Sequence, residues 1–547
     1  MKEKMGNKYS RLEKTILGMI AVGFIAWSSI FIYSSSFIAI DGNRYFALFD
    51  DAMISMRYAW NFAHGLGLVW NPGEYIEGYT NLLMTLVMSL AARIFDKSTA
   101  ALSIQILGGA LLLGNAYVSM LIGDNLMKDK VAPYSSIVRI ICFTAALLYY
   151  PLAYWSLMGM ETGFVALFLS LAVLSSQKFP KTPTKSSAIL LGLWMGFAFL
   201  TRNDSSIFAI LIFIFVFYDL FKLQNLKQVA GTLLWAVCVY ALFIFAQIVF
   251  RWFYYGELVP NTYILKLSGL PILFRIRDGV RFVIPFLISN LLILAIVIAD
   301  LVFDFRRTTL LFLSLTLMAI GYQIWIGGDP WNYWRIMAPA MPLLFILFVN
   351  ALFNLFRAVA CSMLFHEYVL RNPIFPRQWA VPLFVIFFAL AGVLFSQVRF
   401  SREILFLDKP YQVEANRMNV NVSIALRELT SENATIGVFW AGAIPYYAER
   451  KAIDFLGKSD KYISHLPADT SGLVAWSGMK SVPGHNKYDL DYSIKALMPT
   501  YVQHLAWGKQ DLREWGRTTY SVIEYKGLTL FLAKNSADVY WERLGVP

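Results

Sequence analysis

Long apolar runs alternate with short polar segments along the first 400 residues or so of the chain. A helix that crosses the hydrocarbon layer of a membrane needs roughly 20 apolar residues. The pattern therefore predicts eleven membrane-spanning helices, near residues 16–37, 101–127, 138–157, 162–178, 187–201, 206–221, 229–250, 281–303, 308–327, 337–356 and 379–397.

One further apolar stretch, Tyr79–Phe95, is predicted to be an interfacial or re-entrant helix. If it were a span, the lysines and arginines of the loops at 128–139, 178–185, 222–227 and 306–307 would face outside. Cytoplasmic loops carry the excess of Lys and Arg in membrane proteins, so these loops are expected inside. With the N-terminus inside, an odd number of spans places the C-terminal 150 residues or so outside.

The chain is predicted to divide into a transmembrane module, residues 1–398, and an extracytoplasmic C-terminal domain, residues 399–547. The module includes an outer loop at 38–100, which is the expected catalytic loop. The C-terminal part is more polar and predicts a small α/β or α+β domain. Its β-like runs are Ala434–Trp440, Lys451–Leu456, Tyr501–Leu505, Tyr520–Tyr525 and Leu528–Ala533.

Composition supports this assignment and excludes several classes of protein. The 547 residues are 58% hydrophobic and only 15% charged, whereas soluble domains carry about 25% charged residues. A soluble enzyme, a disordered chain and a disulfide scaffold are therefore excluded. The net charge of +12 does not indicate nucleic acid, because no basic helix interleaved with aromatic residues occurs. The expected location is the cytoplasmic (inner) membrane, with several spans.

Polar residues beside the span ends gather on the outer side in this topology. Charged groups near hydrocarbon cost several kcal/mol unless they are paired or hydrated. Their clustering in short loops predicts a polar cavity just outside the bilayer, lined by carboxylates and cations together. The residues are Asp50, Asp51, Glu161, Arg202, Asp204, Arg251, Glu257, Asn261, Lys266, Asp329 and Arg335.

Such a mixture of charges suits the transfer of a sugar from a phosphate leaving group. A carboxylate takes the proton of the attacking hydroxyl, and cations hold the departing phosphate. No nucleotide-sugar pool exists outside the membrane, so the donor is expected on a lipid. The lipid tail then stays in the bilayer while its phosphosugar reaches water.

Several segments also resemble a known family. Phe49–Asn61, with Gly65–Glu74 and Glu77–Thr80, resembles the first outer loop of C-type fold glycosyltransferases that use polyprenyl-phosphate sugars. The terminal arabinofuranosyltransferase branch is the nearest resemblance. Similar later motifs are Gly159–Thr162, Tyr255–Thr262, Gly327–Arg335, Asp454–Gly457 and Pro483–His485.

The resemblance implies a transfer of a sugar, with arabinofuranose as a candidate, from a polyprenyl-phosphate donor to an extracytoplasmic cell-envelope glycan or glycolipid. It implies that Asp50 is the catalytic base and Asp51 its supporting partner. Some members of the family hold a divalent cation with such acids and others do not, so the metal remains open. The predicted substrate-binding residues are Arg57, Glu77, Glu161, Arg202, Asn261, Lys266, Asp329 and Arg335.

Alternatives remain open at this stage. Arg57 and Glu77 either contact the donor or form an ion pair that stabilises the loop. Trp331, Tyr333 and Trp334 either belong to an interfacial aromatic belt or stack on a sugar. A polysaccharide polymerase or ligase would also work on the outer face. A lipid-linked sugar transporter or flippase would instead carry charges near the bilayer midplane.

Overall fold

The computed structural model describes residues 10–128, 134–179, 183–223, 226–331, 333–360, 377–471 and 483–545. Parts of three predicted cationic loops, at 129–133, 180–182 and 224–225, lie outside these ranges. The described chain forms a helical bundle followed by a C-terminal region that contains a β-sheet.

The helices of the bundle and its loops are numbered α1 to α15 in chain order. They are α1 Arg11–Ser35, α2 Asp50–Ala63, α3 Leu82–Ile94, α4 Lys97–Met127, α5 Ser135–Leu148, α6 Tyr150–Leu157, α7 Thr162–Lys178, α8 Lys185–Thr201, α9 Ser206–Leu223, α10 Leu226–Tyr255, α11 Asn261–Leu267, α12 Ile272–Phe303, α13 Arg307–Trp325, α14 Met341–Ala360 and α15 Arg377–Phe395.

Several of these helices begin at capping residues that the sequence supplies. Ser10 accepts a hydrogen bond from the Glu13 N–H at the start of α1. Asp96 accepts hydrogen bonds from two N–H groups of the first turn of α4. Pro260 directly precedes α11. Each cap satisfies N–H groups or fixes backbone angles that a helix start otherwise leaves open.

Each of the eleven predicted spans coincides with a helix or a helix pair. Among the described residues, seven helices are long and apolar enough to cross a membrane, and two bent pairs raise the number to nine. The helices α7 and α8 are shorter apolar helices, so the count of eleven stays a prediction. The stretch predicted to be interfacial contains α3, which has 13 residues and is too short to span the hydrocarbon layer unaided.

The five predicted β-runs join in one five-stranded sheet. Its strands are β3 Thr435–Val438, β4 Lys451–Asp454, β5 Tyr501–Val502, β8 Tyr520–Tyr525 and β9 Leu528–Ala533, in the order β4-β3-β5-β9-β8. The first three are mutually parallel, whereas β9 runs antiparallel to both β5 and β8. Two-residue strands form two further pairs: β1 Phe37–Ile38 with β2 Arg44–Tyr45, and β6 Ala506–Trp507 with β7 Gln510–Asp511.

The remaining helices of the C-terminal region are α16 Ser401–Ile404, α17 Val413–Leu429, α18 Ala443–Ala448, α19 Lys461–His465 and α20 Arg513–Thr519. Helix α17 packs its buried Leu426 and Leu429 against the sheet, where they join Ile436 and Leu530 in one apolar core. The region therefore has its own core, although the boundary at residue 399 stays a prediction.

Buried polar contacts fix the C-terminal region against the loop that contains α2. The guanidinium of Arg57 donates to the carbonyl oxygens of Pro445 at 2.5 Å and Arg450 at 2.9 Å. The indole of Trp70 donates to the carbonyl of Ala441 at 3.1 Å. Because these groups are buried, each hydrogen bond replaces hydration that docking removes. The start of α2 consequently lies between the bundle and the C-terminal region.

Candidate functional site

The first turn of α2 is held by the aromatic residue that precedes it. Phe49 is fully buried, and its ring meets those of Trp155 and Trp331 edge to face at 4.8 Å. Its N–H donates to the carbonyl of Met158 at 2.9 Å. Asp50 follows as the first residue of α2, where the positive end of the helix dipole favours an anion.

The carboxylate of Asp50 is turned toward the C-terminal region. It accepts hydrogen bonds from the N–H groups of Ala443 at 2.9 Å and Gly442 at 3.2 Å. A Cβ atom on Gly442 would lie 2.0 Å from the Asp50 carbonyl oxygen, so only glycine permits this approach. Burial and the neighbouring charge of Asp51 raise the pKa of Asp50 to about 6, although the Ala443 N–H and Lys458 oppose the rise.

Asp51 points in a different direction and contacts cations. Its Oδ2 accepts from Arg335 Nη1 at 2.8 Å and Trp331 Nε1 at 3.2 Å, and its Oδ1 accepts from Lys458 Nζ at 2.5 Å. Burial favours the neutral acid, but Lys458 and Arg335 outweigh it and hold the pKa of Asp51 well below its usual range. Adjacent helical residues diverge by about 100°, which explains why the pair faces two environments.

Arg335 connects Asp51 to Asp329 of the Gly327–Arg335 segment. Its Nε donates to Oδ2 of Asp329 at 2.7 Å, so one guanidinium bridges two carboxylates. The two residues before it, Tyr333 and Trp334, have φ angles of 69° and 49°. Such left-handed backbone is strained for residues with side chains. The Tyr333 carbonyl accepts from Trp155 Nε1 at 2.9 Å, which helps to hold this strained turn and the direction of Arg335.

The aromatic residues of this loop are buried in protein contacts. Trp331 is 3% exposed and donates to Asp51, while the Tyr333 hydroxyl donates to Glu403. Trp334 packs edge to face on Phe286. Sugar stacking by these rings stays a prediction.

A second group of charges, centred on Arg202, lies at the same end of the bundle. Arg202 donates to Oε1 of Glu161 at 2.6 Å and forms a two-point contact with Asp204 at 2.9 and 2.5 Å. The other oxygen of Glu161 accepts from Asn81 Nδ2 at 3.0 Å, and Asn81 in turn accepts from the Ser55 hydroxyl at 2.9 Å. Helix α2, the chain before α3, and the ends of α7 and α8 therefore share one polar network.

Lys266 is the predicted cation that differs from the rest. Among the described residues, none forms a hydrogen bond or a salt bridge with its ammonium. Burial, and then the nearby charge of Arg335, lower the pKa of Lys266 to about 8. Its stem packs under Gly484, where an added Cβ would lie 3.2 Å from Lys266 Cε. An ammonium that no carboxylate contacts directly is suited to receive an anion.

Lys458 was not identified from the sequence, although it directly follows the Asp454–Gly457 motif. Asp454 accepts from the N–H groups of Leu456 at 3.0 Å and Ser459 at 2.8 Å, which closes a tight loop around Gly457. Lys458 and Asp51 are far apart in the chain, so their contact cannot be predicted from the sequence. A lysine exposed to solvent would have the same sequence context. The motif itself was the available signal.

Two cavities meet at these charges. The first has a volume of about 50 Å³, enough for a few water molecules. The second has a volume of about 440 Å³ and mostly apolar walls. Arg202, Lys266, Thr80 and Thr262 line both. The charged residues of the first cavity are Asp51, Glu161, Arg202, Lys266, Arg335 and Lys458, and the second adds Asp204, Arg251 and Asp329.

The other predicted site residues lie beside these cavities. Among the described residues, the linings of the two cavities do not include Asp50, Arg57, Glu77 or Asn261. Glu77 pairs with Arg251, and Arg57 donates to carbonyl oxygens of the C-terminal region. Asn261 donates to the carbonyls of Gly457 at 2.9 Å and Lys458 at 3.0 Å. Within the described ranges, no three His, Cys, Asp or Glu side chains form a metal-binding group.

The architecture is similar to that of solved membrane proteins. Solved structures with the same arrangement of helical bundle and C-terminal domain are C-type membrane glycosyltransferases, so the chain has the C-type glycosyltransferase fold. The crystal structure of ArnT from Cupriavidus metallidurans bound to undecaprenyl phosphate matches with a TM-score of 0.54 and 12% identity. The match covers 95% of this chain and 98% of that chain.

Two further structures agree with this fold. ArnT from the same organism in the apo state has a TM-score of 0.52 at 14% identity, covering 94% of this chain and 98% of that one. The apo oligosaccharyltransferase of Archaeoglobus fulgidus has a TM-score of 0.52 at 12% identity, covering 98% of this chain and 76% of that one. A family model described as a domain of unknown function (DUF8728) matches residues 408–539. No curated protein matches the sequence.

Proposed function

We propose that this protein is a membrane glycosyltransferase that moves a sugar from a polyprenyl-phosphate donor to an extracytoplasmic cell-envelope glycan or glycolipid. The observation that carries the proposal is the junction of a cation-lined polar cavity with a larger apolar cavity at Lys266 and Arg202. The lipid-phosphate ligand of ArnT supports the same class of donor.

The apolar cavity suits the prenyl chain of the donor. Its walls include Phe199, Ile244, Ile248 and Leu258, and transfer of such a chain from water to apolar surface is favourable. The side chains of Leu258 and Tyr263, which line the cavity, are also more than half exposed on the protein surface. A lipid could therefore enter from the bilayer without leaving hydrocarbon.

The phosphate of the donor would lie where the two cavities meet. Lys266 offers an ammonium that no carboxylate of the described residues contacts directly, and Arg335 and Arg202 offer guanidinium groups already oriented by carboxylates. Preorganised cations stabilise charge that develops on a leaving phosphate without reorganising during the reaction.

We assign the base to Asp50, whose carboxylate faces away from the cation cluster. In an in-line displacement the acceptor oxygen attacks the anomeric carbon, its proton passes to Asp50, and the carbon–oxygen bond to phosphate breaks with its electron pair on the phosphate. The base and the leaving group must lie on opposite sides of the sugar. The divergence of Asp50 and Asp51 provides two such sides, and a pKa near 6 gives Asp50 the basicity that the task requires.

Finer features of the proposal rest on the sequence and on the contacts of individual residues. Arabinofuranose is the donor sugar that the resemblance to the terminal arabinofuranosyltransferase branch favours. Arg57 and Asn261 are assigned to docking of the C-terminal region, since their polar atoms contact its backbone. In the proposal, the protein lies in the cytoplasmic membrane with its site and C-terminal region outside.

Lipid and glycan mass spectrometry of a strain without this protein would test the proposal. We expect one sugar to be missing from an envelope glycan and its polyprenyl-phosphate form to accumulate. Complementation with the wild-type chain should restore the sugar, whereas Asp50→Asn should not. An unchanged glycan profile in the deletion strain would contradict the proposal.

A further inference from the structure

Lys458 belongs to the C-terminal region but lines the polar cavity of the bundle. Its side chain is 12% exposed, and its ammonium contacts Oδ1 of Asp51 at 2.5 Å. Among the described residues, this ammonium forms a hydrogen bond or salt bridge only with Asp51. Within the same residues, Oδ1 of Asp51 accepts a hydrogen bond only from Lys458. The contact can therefore break without disturbing another pair.

The backbone that carries Lys458 is fixed, so only its side chain has freedom to move. Asn261 of α11 donates to the carbonyls of Gly457 and Lys458, and Asp454 accepts from the Ser459 N–H at 2.8 Å. An added Cβ on Gly78 would lie 3.0 Å from the Lys458 carbonyl oxygen, so the bundle packs directly under the loop. The four-carbon stem of lysine allows its ammonium to move over several ångströms by rotamer changes.

Most of the cations that line the polar cavity already contact a carboxylate when no ligand is bound. Each of its four cations has a carboxylate contact except Lys266, and Asp51 serves both Arg335 and Lys458. Asp51 is thus an internal anion that occupies cations needed for a phosphate. An incoming phosphate would compete with it for these cations.

We propose that Lys458 is a phosphate ligand supplied by the C-terminal region, and that Asp51 holds its ammonium until the phosphate of the donor displaces it. The inference rests on the proposed function and extends it. The C-terminal region then completes the donor site and does more than cover the bundle. No covalent step is involved, because one ion pair exchanges for another.

The exchange also affects the base. The charge of Lys458 opposes the rise in the pKa of Asp50. A phosphate beside Lys458 weakens that opposition, so Asp50 becomes a stronger base when the donor is bound. Proton transfer is thereby favoured in the presence of substrate.

Binding of undecaprenyl phosphate to the purified full-length protein in lipid nanodiscs tests the inference without requiring turnover. Lys458→Met keeps the length of the stem and removes the charge, and we expect it to weaken binding about 10-fold or more. Asp51→Asn removes the competing anion, and we expect it to tighten binding roughly 3-fold or more. Asp51→Asn should gain less affinity in the Lys458→Met background than in the wild type, because part of the gain requires Lys458 and the rest comes from Arg335.

Lys461 provides a matched control on the same side of the C-terminal region. Its ammonium lies 3.1 Å from Glu257 and its side chain is 42% exposed, so Lys461→Gln should bind like the wild type. Inorganic phosphate is the second probe. We expect Lys458→Met to weaken its binding by a similar factor, since the contact is with the phosphate and not with the prenyl chain.

The inference would be overturned if Lys458→Met bound the lipid phosphate with wild-type affinity. It would also be overturned if Asp51→Asn bound it no more tightly than the wild type. Either result would leave the proposed function intact. A loss confined to the lipid probe would also overturn the inference. If the wild-type protein bound no undecaprenyl phosphate, the proposed function would fail first, and the inference with it.

Discussion

Lys458 and Asp51 are 407 positions apart in the chain, and yet the ammonium of one lies 2.5 Å from the carboxylate of the other. The contact joins the loop after β4 to the first turn of α2. Because Asp50 also accepts hydrogen bonds from the C-terminal region, both acids of the pair depend on docking of that region. The candidate site therefore combines residues of the bundle with residues of the C-terminal region.

The first prediction concerns the base. Asp50→Asn keeps the size of the side chain but cannot take a proton, so transfer from a polyprenyl-phosphate sugar to an acceptor extract should fall about 10²–10⁴-fold. Protein amount and thermal stability should be matched to the wild type. Asp51→Asn is the neighbouring control and should lose less activity, because Asp51 contacts cations and not the acceptor side. Near wild-type turnover by Asp50→Asn would reject the assignment.

The pH dependence follows from two of the groups at the site. Asp50 must be deprotonated to act as a base, so kcat/KM should fall as the pH drops through about 6. Lys266 must be protonated to hold a phosphate, so kcat/KM should fall as the pH rises through about 8. The expected profile is a bell. In Lys266→Arg the fall of kcat/KM at alkaline pH should disappear, because guanidinium stays charged. If that fall stayed at the same pH, Lys266 would be excluded as its origin.

The apolar cavity gives a prediction about the lipid chain. Ile248 lines the apolar cavity, so Ile248→Trp would fill part of the cavity. The KM for a long-chain polyprenyl donor should then rise roughly 10-fold. A donor with a short prenyl chain should be affected much less. Phe253→Trp is the control, since Phe253 is 80% exposed on the same helix. Equal effects on both donor lengths would argue against a prenyl site in this cavity.

A substitution of Arg57 can distinguish a role in docking the C-terminal region from a role in binding substrate. Arg57→Met leaves buried carbonyl oxygens of Pro445 and Arg450 without a donor, so stability should fall by roughly 2–4 kcal/mol. At a temperature where the variant is folded, its affinity for undecaprenyl phosphate should match the wild type. Arg44→Met, which alters an exposed arginine, should leave the thermal transition in place. A lost affinity with unchanged stability would instead make Arg57 a substrate contact.

Sidedness can be measured by cysteine labelling in intact cells. Ser186 and Thr518 are exposed at opposite ends of the molecule in the predicted topology. In a background without the native cysteines, Thr518→Cys should react with an impermeant reagent, and Ser186→Cys should react only after permeabilisation. The reverse pattern would overturn the topology and place the site in the cytoplasm.

Much of the fold follows from local patterns. Runs of apolar residues predicted the helices or helix pairs at the eleven span positions and the helix at 79–95, and short β-like runs predicted each strand of the five-stranded sheet, whereas the short helix α11 was not predicted. These patterns depend on neighbours in sequence and so need no knowledge of tertiary contacts. The number of helices that cross the membrane does not follow from these patterns alone, because α7 and α8 have 17 residues each, at the lower limit of length for a spanning helix.

The fold brings some of the predicted site residues together in one cavity and leaves others outside it. Asp51, Glu161, Arg202, Lys266 and Arg335 line one cavity, as clustered charges beside span ends suggested. Arg57 and Asn261 had the same appearance in the sequence but contact backbone carbonyls of the C-terminal region. Residue type alone does not distinguish these roles, because a guanidinium or an amide bonds equally well to a phosphate or a carbonyl.

The sequence by itself determined that the chain is a helical membrane protein with a sheet-containing C-terminal region, and that its acids and cations collect at one end. Those properties arise from hydrophobicity and from spacing along the chain. The tertiary structure alone decided that Asp50 and Asp51 face different partners and that Lys458 joins the cavity. The physical reason is that the direction of a side chain and the identity of its counter-charge depend on packing between segments hundreds of residues apart.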